Sequence, residues 1–335
     1  MQTVTLASRA MATRFEIVLH GENASSLRAA GEEALREVDR LENQLSLYRP
    51  GSEIAQINAR AARESVRVSP EVFALLDHAR QLTLETGGAF DITIAPLVRC
   101  WGFMGAATSP SWAGAGAVWS AQPEIPAPEA IARALELVGM KRVQLDALTR
   151  TVRFERDGVM LDLGAIGKGY AVECAGGILR EAGVTSALIH GGTSTVCAIG
   201  NPPDAPGWKV AIELPPPALR PSAMAEVAPV DLMDEAMSVS AIWGRCFESH
   251  GQIHGHVIDP RTGQPTAGAL LAMVALPSGT ETDALSTALL TLGAAGHARI
   301  ASLRPNLRSL LVTREGGAAA GNSGQKAIEK FSGGD

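Results

Sequence analysis

The chain has 335 residues, of which 46% are hydrophobic and 19% are charged, and its formal net charge is −6. These proportions are typical of a globular protein with a buried core, and the acidic balance argues against a surface for nucleic acid or anionic membrane. The widely spaced cysteines argue against a zinc knuckle and a disulfide framework; they are Cys100, Cys174, Cys197 and Cys246.

The start of the chain lacks the features of a secretory signal, because no charged segment precedes an apolar run in residues 1–21. We therefore expect a cytoplasmic location, or a periplasmic one if an upstream signal has been removed. No apolar run approaches the roughly 20 residues of a membrane span. The alternating stretch RFEIVLHG at 14–21 predicts a strand, and the apolar spacing in 25–46, where Ser25 and Ser26 can cap, predicts a helix.

Helices and strands then follow one another without strict alternation, which favours an α+β fold with antiparallel sheets. Helical patterns cover 69–88, 128–139, 170–183, 282–293 and 295–303, and the stretch 45–58 predicts a loop with a short helix. Strand patterns cover 142–146, 151–155, 159–163, 186–192, 269–276 and 307–313. Two insertions are expected at about 104–127 and 201–235, the second of which is rich in proline.

A glycine-rich turn follows the predicted strand at 159–163, in the stretch LDLGAIGKGYAVE. Backbone N–H groups at a helix start, together with Lys168, would form an anion site, although the spacing differs from that of a Walker A loop. Asp162 at the end of the strand could hold a ribose or an amide donor. The glycines could instead serve only a tight turn.

Two further stretches place polar side chains beside turns. Phe90 and Asp91 follow two glycines in TGGAFDITIAPLVRCWGF and could bind a ring with polar edges, or they could simply follow a helix C-cap. In HGHVIDPRTGQP, His254 and His256 are two residues apart and would face the same side of a strand. The segment Asp-Pro-Arg-Thr-Gly that follows predicts a turn.

The stretch TDALSTALLTLG places Asp283 and Thr287 four residues apart, on one face of a helix. A carboxylate and a hydroxyl in this arrangement are hard oxygen ligands that suit Mg²⁺. Alternatively, Asp283 interacts with the helix dipole and the Thr287 hydroxyl bonds a backbone carbonyl.

In chain order, five stretches together resemble the ApbE family of FAD:protein FMN transferases: LSLYRPGSEIAQIN, TGGAFDITIAPLVRCWGF, LDLGAIGKGYAVE, HGHVIDPRTGQP and TDALSTALLTLG. The similarity extends from Met11 to about Gly293. It implies an ApbE-like α+β fold with largely antiparallel sheets, flanking helices and a flavin site between two lobes. The corresponding domain would cover residues 1–312, and a flexible tail would follow at 313–335.

The resemblance also implies a reaction. Such enzymes take FAD and Mg²⁺, cleave the pyrophosphate, and transfer FMN to a threonine or serine hydroxyl of a target protein, and AMP leaves. Two alternatives stay open: an Mg²⁺-dependent FAD pyrophosphatase that gives FMN and AMP, and an FAD-binding protein with little turnover. We expect FAD and a flavin-acceptor protein as partners, no nucleic acid, and no membrane span.

The same resemblance assigns roles to individual residues. His256 matches the position of the base that activates the acceptor hydroxyl. Asp283 and Thr287 match the metal ligands, and Ala165 matches the position that adds a backbone carbonyl ligand. The residues at FAD-contacting positions are Met11, Tyr48, Ala89, Phe90, Asp91, Asp162, Lys168 and Val257.

The chain departs from the usual family pattern at three places. Ala241-Ile242-Trp243 stands where Thr-Ser-Gly is usual, Thr193 stands where Asn is usual, and Ala12 stands where glycine is commoner. The indole of Trp243 would lie beside the flavin ring, where it could stack on the ring or block it, or it could pack in the core instead.

Overall fold

The computed structural model describes residues 1–104, 124–216, 219, 227–250, 252–314 and 318–321. Its strands are β1 (Gln2–Ala10), β2 (Thr13–Gly21), β3 (Val66–Arg67), β4 (Val143–Asp146), β5 (Thr151–Phe154), β6 (Ala187–Gly191), β7 (Thr195–Ile199), β8 (Trp208–Val210), β9 (Val230–Leu232), β10 (Ala236–Ala241), β11 (Cys246–Ser249), β12 (Gln252–Gly255), β13 (Ala269–Leu276), β14 (Arg308–Thr313) and β15 (Ala318–Gly321). Its α-helices are α1 (Ala24–Leu45), α2 (Glu53–Arg60), α3 (Pro70–Glu85), α4 (Ala95–Cys100), α5 (Pro128–Leu135), α6 (Gly167–Glu181), α7 (Gly279–Leu292) and α8 (His297–Ala301).

One large sheet dominates the fold. Its eight strands follow the order β1-β2-β6-β7-β10-β13-β14-β15, and three small sheets, β3-β5-β4, β8-β9 and β11-β12, lie beside it. Every pairing among these strands is antiparallel. The predicted α+β fold with antiparallel sheets is therefore confirmed.

Three helices pack side by side on the large sheet. Helix α1 contacts β1 and β2, α6 contacts β6 and β7, and α7 contacts β10 and β13, while α6 also contacts both α1 and α7. The apolar residues of α1 recur at helical spacing and are buried, as the sequence predicts. Its cap is different from the expected serines: the side chain of Asn23 accepts from the backbone N–H groups of Ser25 and Ser26.

Strand β1 escaped the sequence analysis, although it pairs with β2 along its whole length. Most of its residues are exposed or half-buried, because it lies at the edge of the sheet, so its apolar alternation is weak. The two strands are joined by Met11 and Ala12, whose φ angles are 50° and 58°. A two-residue turn with both φ values positive matches the right-handed twist of a hairpin.

The strand predicted at residues 159–163 does not form. The backbone of Leu161 pairs instead with the side chain of Asn58, which donates to its carbonyl at 2.9 Å and accepts from its N–H at 2.7 Å. The N–H of Asp162 donates to the carbonyl of Ile92 at 2.7 Å. The apolar side chains of Val159, Leu161 and Leu163 are buried, but the polar backbone groups of Leu161 and Asp162 are satisfied by a side chain and a loop rather than by a neighbouring strand.

Most of the first predicted insertion and most of the predicted tail lie outside the described residues, whereas most of the second insertion is described. Within the second insertion, β8 and β9 form a small antiparallel sheet. Strand β15 lies inside the predicted tail and pairs with β14 at the edge of the large sheet. The division into a domain at 1–312 and a tail at 313–335 stays a prediction. Among the described residues, no helix is long and apolar enough to span a membrane.

Two groups of buried apolar side chains form the interior. The main core joins the large sheet to its helices. A smaller group, called here the satellite core, lies around α4, α5 and the β11-β12 sheet and comprises Leu97, Trp101, Phe103, Ile131, Ala134, Val138, Phe247 and Ile258. A cavity lies between the two groups, since it is lined by Phe103 and Ile258 on one side and by Met237 and Val196 on the other.

Candidate active site

The cavity has a volume of about 1140 Å³, which is ample for a large organic ligand. Every residue that the sequence analysis assigned to the site lines it: Met11, Tyr48, Ala89, Phe90, Asp91, Asp162, Ala165, Lys168, His256, Val257, Asp283 and Thr287. They come from segments far apart in the chain, so their convergence is a result of the tertiary fold.

Helix α7 presents Asp283 and Thr287 to this cavity. Asp283 is 4% exposed, and its carboxylate Oδ2 accepts from the N–H of Gly169 at 2.9 Å. The Thr287 hydroxyl donates to the Asp283 carbonyl at 3.2 Å, as the alternative interpretation of this pair expected. Both residues nevertheless line the cavity, so the bond to the carbonyl does not remove Thr287 from the site.

The start of α6 lies against α7 at a point where only glycine fits. A Cβ atom on Gly169 would clash with the carbonyl oxygen of Gly279 and with the side chain of Asp283. This close approach brings the Gly169 N–H onto the Asp283 carboxylate. From the side of α6, Glu173 accepts from the Ser278 hydroxyl and the Thr280 N–H, each at 2.8 Å, and so holds the first turn of α7.

The predicted anion site at the start of α6 is only partly available. The N–H groups of Gly167, Gly169 and Tyr170 donate to Leu163, Asp283 and Ile166 within the protein. The charge that remains for an anion is the ammonium of Lys168, which lies in the cavity wall and donates to the Gly164 carbonyl at 3.1 Å. The glycines therefore serve mainly the turn and the contact with α7.

Asp162 lies beside this turn, and its Oδ1 accepts from the Gly164 N–H at 2.8 Å. Burial raises the pKa of Asp162, while that hydrogen bond and the charges of Arg245 and Lys168 oppose the rise. Ala165 follows three residues after Asp162 and also lines the cavity.

The carboxylate of Asp91 is committed to the protein itself. Its Oδ1 accepts from the N–H and the hydroxyl of Thr93 at 2.8 and 2.6 Å, and its Oδ2 accepts from the Met140 N–H at 3.1 Å. Burial raises the pKa of Asp91. Phe90 and Ala89 are buried beside it in the cavity wall. Phe90 and Asp91 thus form part of the cavity wall, and no strand follows α3 in this described segment.

His256 lies one residue beyond β12 and is held by one carbonyl group. Its backbone N–H and its ring Nδ1 lie 2.9 and 3.1 Å from the carbonyl oxygen of Arg245. Because a carbonyl only accepts, Nδ1 carries the ring proton and Nε2 keeps its lone pair. Burial, helped by the charges of Arg245 and Lys168, lowers the pKa of His256 to about 4, so the ring is neutral near pH 7.

The turn after His256 has the predicted form. The N–H of Gly263 donates to the Asp259 carbonyl at 2.8 Å, and Arg261 forms an ion pair with the Asp259 carboxylate at 2.7 Å. These two charged residues shape the turn, as the sequence analysis expected. His254 does not line the cavity. It faces the satellite core and stacks there on Trp101 and Phe247, at ring-centroid distances of 5.7 and 5.1 Å.

The remaining predicted contacts lie in three different segments of the cavity wall. Tyr48, in the loop after α1, is 61% exposed, and burial of its remaining surface raises its pKa. Met11 lies in the β1-β2 turn, and Val257 follows His256. Both of these side chains pack against the main core.

The cavity wall also contains residues that the sequence analysis did not propose as site residues. Ser240 on β10 has its hydroxyl 3.1 Å from that of Thr287. Arg245 lines the cavity, and its positive charge acts on His256. Glu213, which follows β8 inside the predicted insertion, lines the cavity as well. No motif in the sequence singles out these positions. Trp243, flagged only as a departure from the family pattern, lines the cavity and packs against the main core.

The donor set fits a hard cation. No group of three His, Cys, Asp or Glu side chains forms a metal site among the described residues. The predicted ligands are instead one carboxylate, one hydroxyl and one backbone carbonyl. The bond from Gly169 occupies Oδ2 of Asp283, whereas Oδ1 has no hydrogen-bond partner in the described part of the chain. A carboxylate oxygen beside a hydroxyl on a cavity wall suits Mg²⁺.

Known proteins resemble this chain over nearly its full length. A sequence model described as the ApbE family matches residues 11–311. A FAD:protein FMN transferase of Rhodobacter capsulatus is 30% identical over 96% of this chain, which spans 58% of that relative's length. One of Escherichia coli K12 is 26% identical over 94% of this chain and 85% of its own.

Solved structures agree with the fold. The ApbE protein of Thermotoga maritima superimposes with a TM-score of 0.82 at 25% identity, over 97% of this chain and 99% of its own. The apo form of the Pseudomonas stutzeri flavinyl transferase ApbE gives 0.79 at 26% identity, over 100% of this chain and 98% of its own. The resemblance inferred from the five motifs is therefore confirmed.

Proposed function

The chain belongs to the ApbE family, and from this premise we propose that it transfers FMN from FAD to a threonine or serine hydroxyl of a target protein. AMP is the leaving group. The observation that carries the proposal is the convergence of His256, Lys168 and the Asp283–Thr287 pair on one cavity of about 1140 Å³. A base, a cation and hard oxygen ligands are the groups that phosphoryl transfer requires.

His256 acts as the general base in this proposal. Its Nε2 lone pair is available because Nδ1 is held by the Arg245 carbonyl at 3.1 Å. The acceptor hydroxyl gives its proton to Nε2 while its oxygen forms a bond to the FMN phosphorus. The bond from that phosphorus to the bridging oxygen breaks, and AMP departs with the electron pair.

Positive charge in the wall attracts the pyrophosphate and orients it. Lys168 and Arg245 both line the cavity. Their charges also help to keep the His256 ring unprotonated, as its lowered pKa reflects. The same two cations therefore serve substrate binding and the state of the base.

Mg²⁺ would be held by the Asp283 carboxylate, the Thr287 hydroxyl and the Ala165 carbonyl, and would offset charge on the pyrophosphate as AMP leaves. The chain's own contribution is to keep these oxygens in place. The N–H of Gly169 and the carboxylate of Glu173 fasten α7 to α6, and the ligands on α7 stay beside Lys168 as a result.

The decisive experiment incubates the protein with FAD, Mg²⁺ and a candidate acceptor protein, and measures the intact mass of the acceptor. An increase in the mass of the acceptor equal to one FMN less one water supports the proposal. The matched control is an acceptor whose target hydroxyl residue is replaced by alanine, which should gain nothing. AMP release without a mass gain would mean hydrolysis of FAD, and intact FAD bound to the protein would mean binding without turnover.

A further inference from the structure

Strand β10 and helix α7 are joined by a ladder of hydroxyl groups. Ser238 and Ser240, two residues apart on the strand, face α7. The Ser238 hydroxyl lies 2.8 Å from that of Thr282. The Ser240 hydroxyl lies 2.9 Å from that of Ser286 and 3.1 Å from that of Thr287. Only Ser240, of the two serines, also lines the cavity.

The hydrogen bonds around Ser240, Ser286 and Thr287 indicate which of these hydroxyls donates to which. Ser286 and Thr287 both donate to the carbonyl oxygen of Asp283, at 3.1 and 3.2 Å. A hydroxyl has one proton and two lone pairs, so neither group has a second proton to give. With those two protons on the Asp283 carbonyl, Ser240 is the donor to this pair, and its single proton is shared between the oxygens of Ser286 and Thr287.

This assignment leaves the Thr287 oxygen in a defined state. Its proton points to the Asp283 carbonyl, one lone pair can accept from Ser240, and one lone pair remains for a ligand in the cavity. Without the Ser240 donor, the hydroxyl could turn about its Cβ–Oγ1 bond and present its lone pairs in other directions.

We infer that Ser240 is a positioning residue that orients the Thr287 hydroxyl toward a bound Mg²⁺. The inference rests on the proposed function, because that function supplies the metal. Ser240 touches neither the metal nor FAD in this role; it acts through Thr287, as groups behind a metal ligand generally do.

The test compares three variants by their affinity for Mg²⁺. Mg²⁺ is titrated by calorimetry into protein saturated with FAD, in a His256→Ala background where turnover is slow. Ser240→Ala should weaken Mg²⁺ binding about tenfold. Ser240→Thr keeps the donor and should stay within about twofold of the parent. Ser238→Ala is the matched control, because it removes the hydrogen bond between the hydroxyls of Ser238 and Thr282, and Ser238 does not line the cavity.

Urea unfolding of each variant separates positioning from folding. Ser238→Ala should lose stability without losing Mg²⁺ affinity. The inference is overturned if Ser240→Ala binds Mg²⁺ as the parent does, if Ser238→Ala weakens binding equally, or if Ser240→Thr fails to restore it. If the original protein transfers FMN without Mg²⁺, the metal site and the role of Ser240 are both overturned. If Ser240→Ala binds Mg²⁺ with unchanged affinity, only the role of Ser240 is overturned, and the proposed transfer is unaffected.

Discussion

A single carbonyl group sets the state of the proposed base. The oxygen of Arg245 accepts both the backbone N–H and the ring Nδ1–H of His256, at 2.9 and 3.1 Å. The ring is therefore fixed in orientation and in tautomer before a substrate arrives, which is the kind of preorganisation that general-base catalysis needs. No charged partner is required to hold the imidazole.

Replacement of His256 by alanine tests this role. We expect His256→Ala to slow FMN transfer by about a hundredfold or more, the usual contribution of a general base. FAD affinity should change little, because the imidazole accepts a proton from the acceptor rather than holding the nucleotide. The measurement is initial AMP release with an acceptor present, alongside FAD binding by fluorescence.

The control for this variant is His250→Asn, in the turn of the same β11-β12 hairpin. His250 is exposed and does not line the cavity, and asparagine tolerates its φ of 51°. Its activity should equal that of the parent. A parallel collapse of FAD binding and transfer in His256→Ala would instead make His256 a ligand-contacting residue.

The charge of Asp283 is the second feature that the proposed function requires of a single residue. Asp283→Asn keeps the shape of the side chain but loses the negative charge that holds a hard cation, so we expect Mg²⁺-dependent turnover to be abolished. The assay is AMP release over a range of Mg²⁺ concentrations. Asp77→Asn on α3, outside the cavity wall, serves as the control. Undiminished turnover at limiting Mg²⁺ would remove Asp283 from the metal site.

Among the elements, the pair α6–α7 determines where the proposed metal ligands lie. The glycine contact between Gly169 and Gly279, and the bonds from Glu173 to the first turn of α7, fix one helix against the other. The hydroxyl ladder then fixes α7 against β10. Contacts with α6 on one side and with β10 on the other therefore fix the position of helix α7. The positions of Asp283 and Thr287 on this helix are fixed as a result.

The hairpin β1-β2 is an element that carries strain. Ala12 adopts a φ of 58°, a left-handed conformation that costs an alanine roughly 1–2 kcal/mol. We expect Ala12→Gly to raise the free energy of unfolding by about 0.5–1 kcal/mol, since the relief of strain exceeds the entropic cost of glycine. Urea unfolding followed by circular dichroism measures the change.

Ala7→Gly, at an exposed position in the extended part of β1, is the matched control. It should lower the free energy of unfolding by about 0.5–1 kcal/mol, because glycine gains nothing from an extended conformation. If both variants lose stability alike, the turn does not strain Ala12.

For the whole molecule, we expect the enclosure of the cavity between the two cores to set the pH range of the proposed transfer. Burial, with the charges of Arg245 and Lys168, lowers the pKa of His256 to about 4. The base is therefore unprotonated above that value, and transfer should fall only as the pH drops through about 4, rather than near 6.5 as for an ordinary histidine. The measurement is the pH profile of kcat/KM for FAD.

The same shift affects stability with a definite sign. A histidine whose pKa is lower in the folded state binds protons more readily when unfolded, so stability falls as the pH drops from about 6.5 toward 4. Circular dichroism at each pH must therefore accompany the assay, to show that the protein is still folded. An acidic limb centred near 6.5 in folded protein would contradict the lowered pKa.

The sequence predicted those parts of the fold that depend on neighbours along the chain. Helices α1, α3 and α7 and the fully buried strand β13 have apolar spacing that is visible in one dimension. The pair Asp283 and Thr287 is predictable for the same reason, since four residues bring both side chains to one helix face. The five ordered motifs added the family and, with it, the rest of the proposed site residues.

Only the tertiary structure decided what depends on residues far apart. The segment at 159–163 is not a strand, because Asn58, 103 residues from Leu161, takes its backbone groups. The N–H of Gly169 serves Asp283, 114 residues away, and so is not available to an anion. Ser240 belongs to the site only because β10 packs on α7. Local periodicity records which face of an element is buried, but it does not record which element covers that face, and hydrogen-bond partners are chosen by that packing.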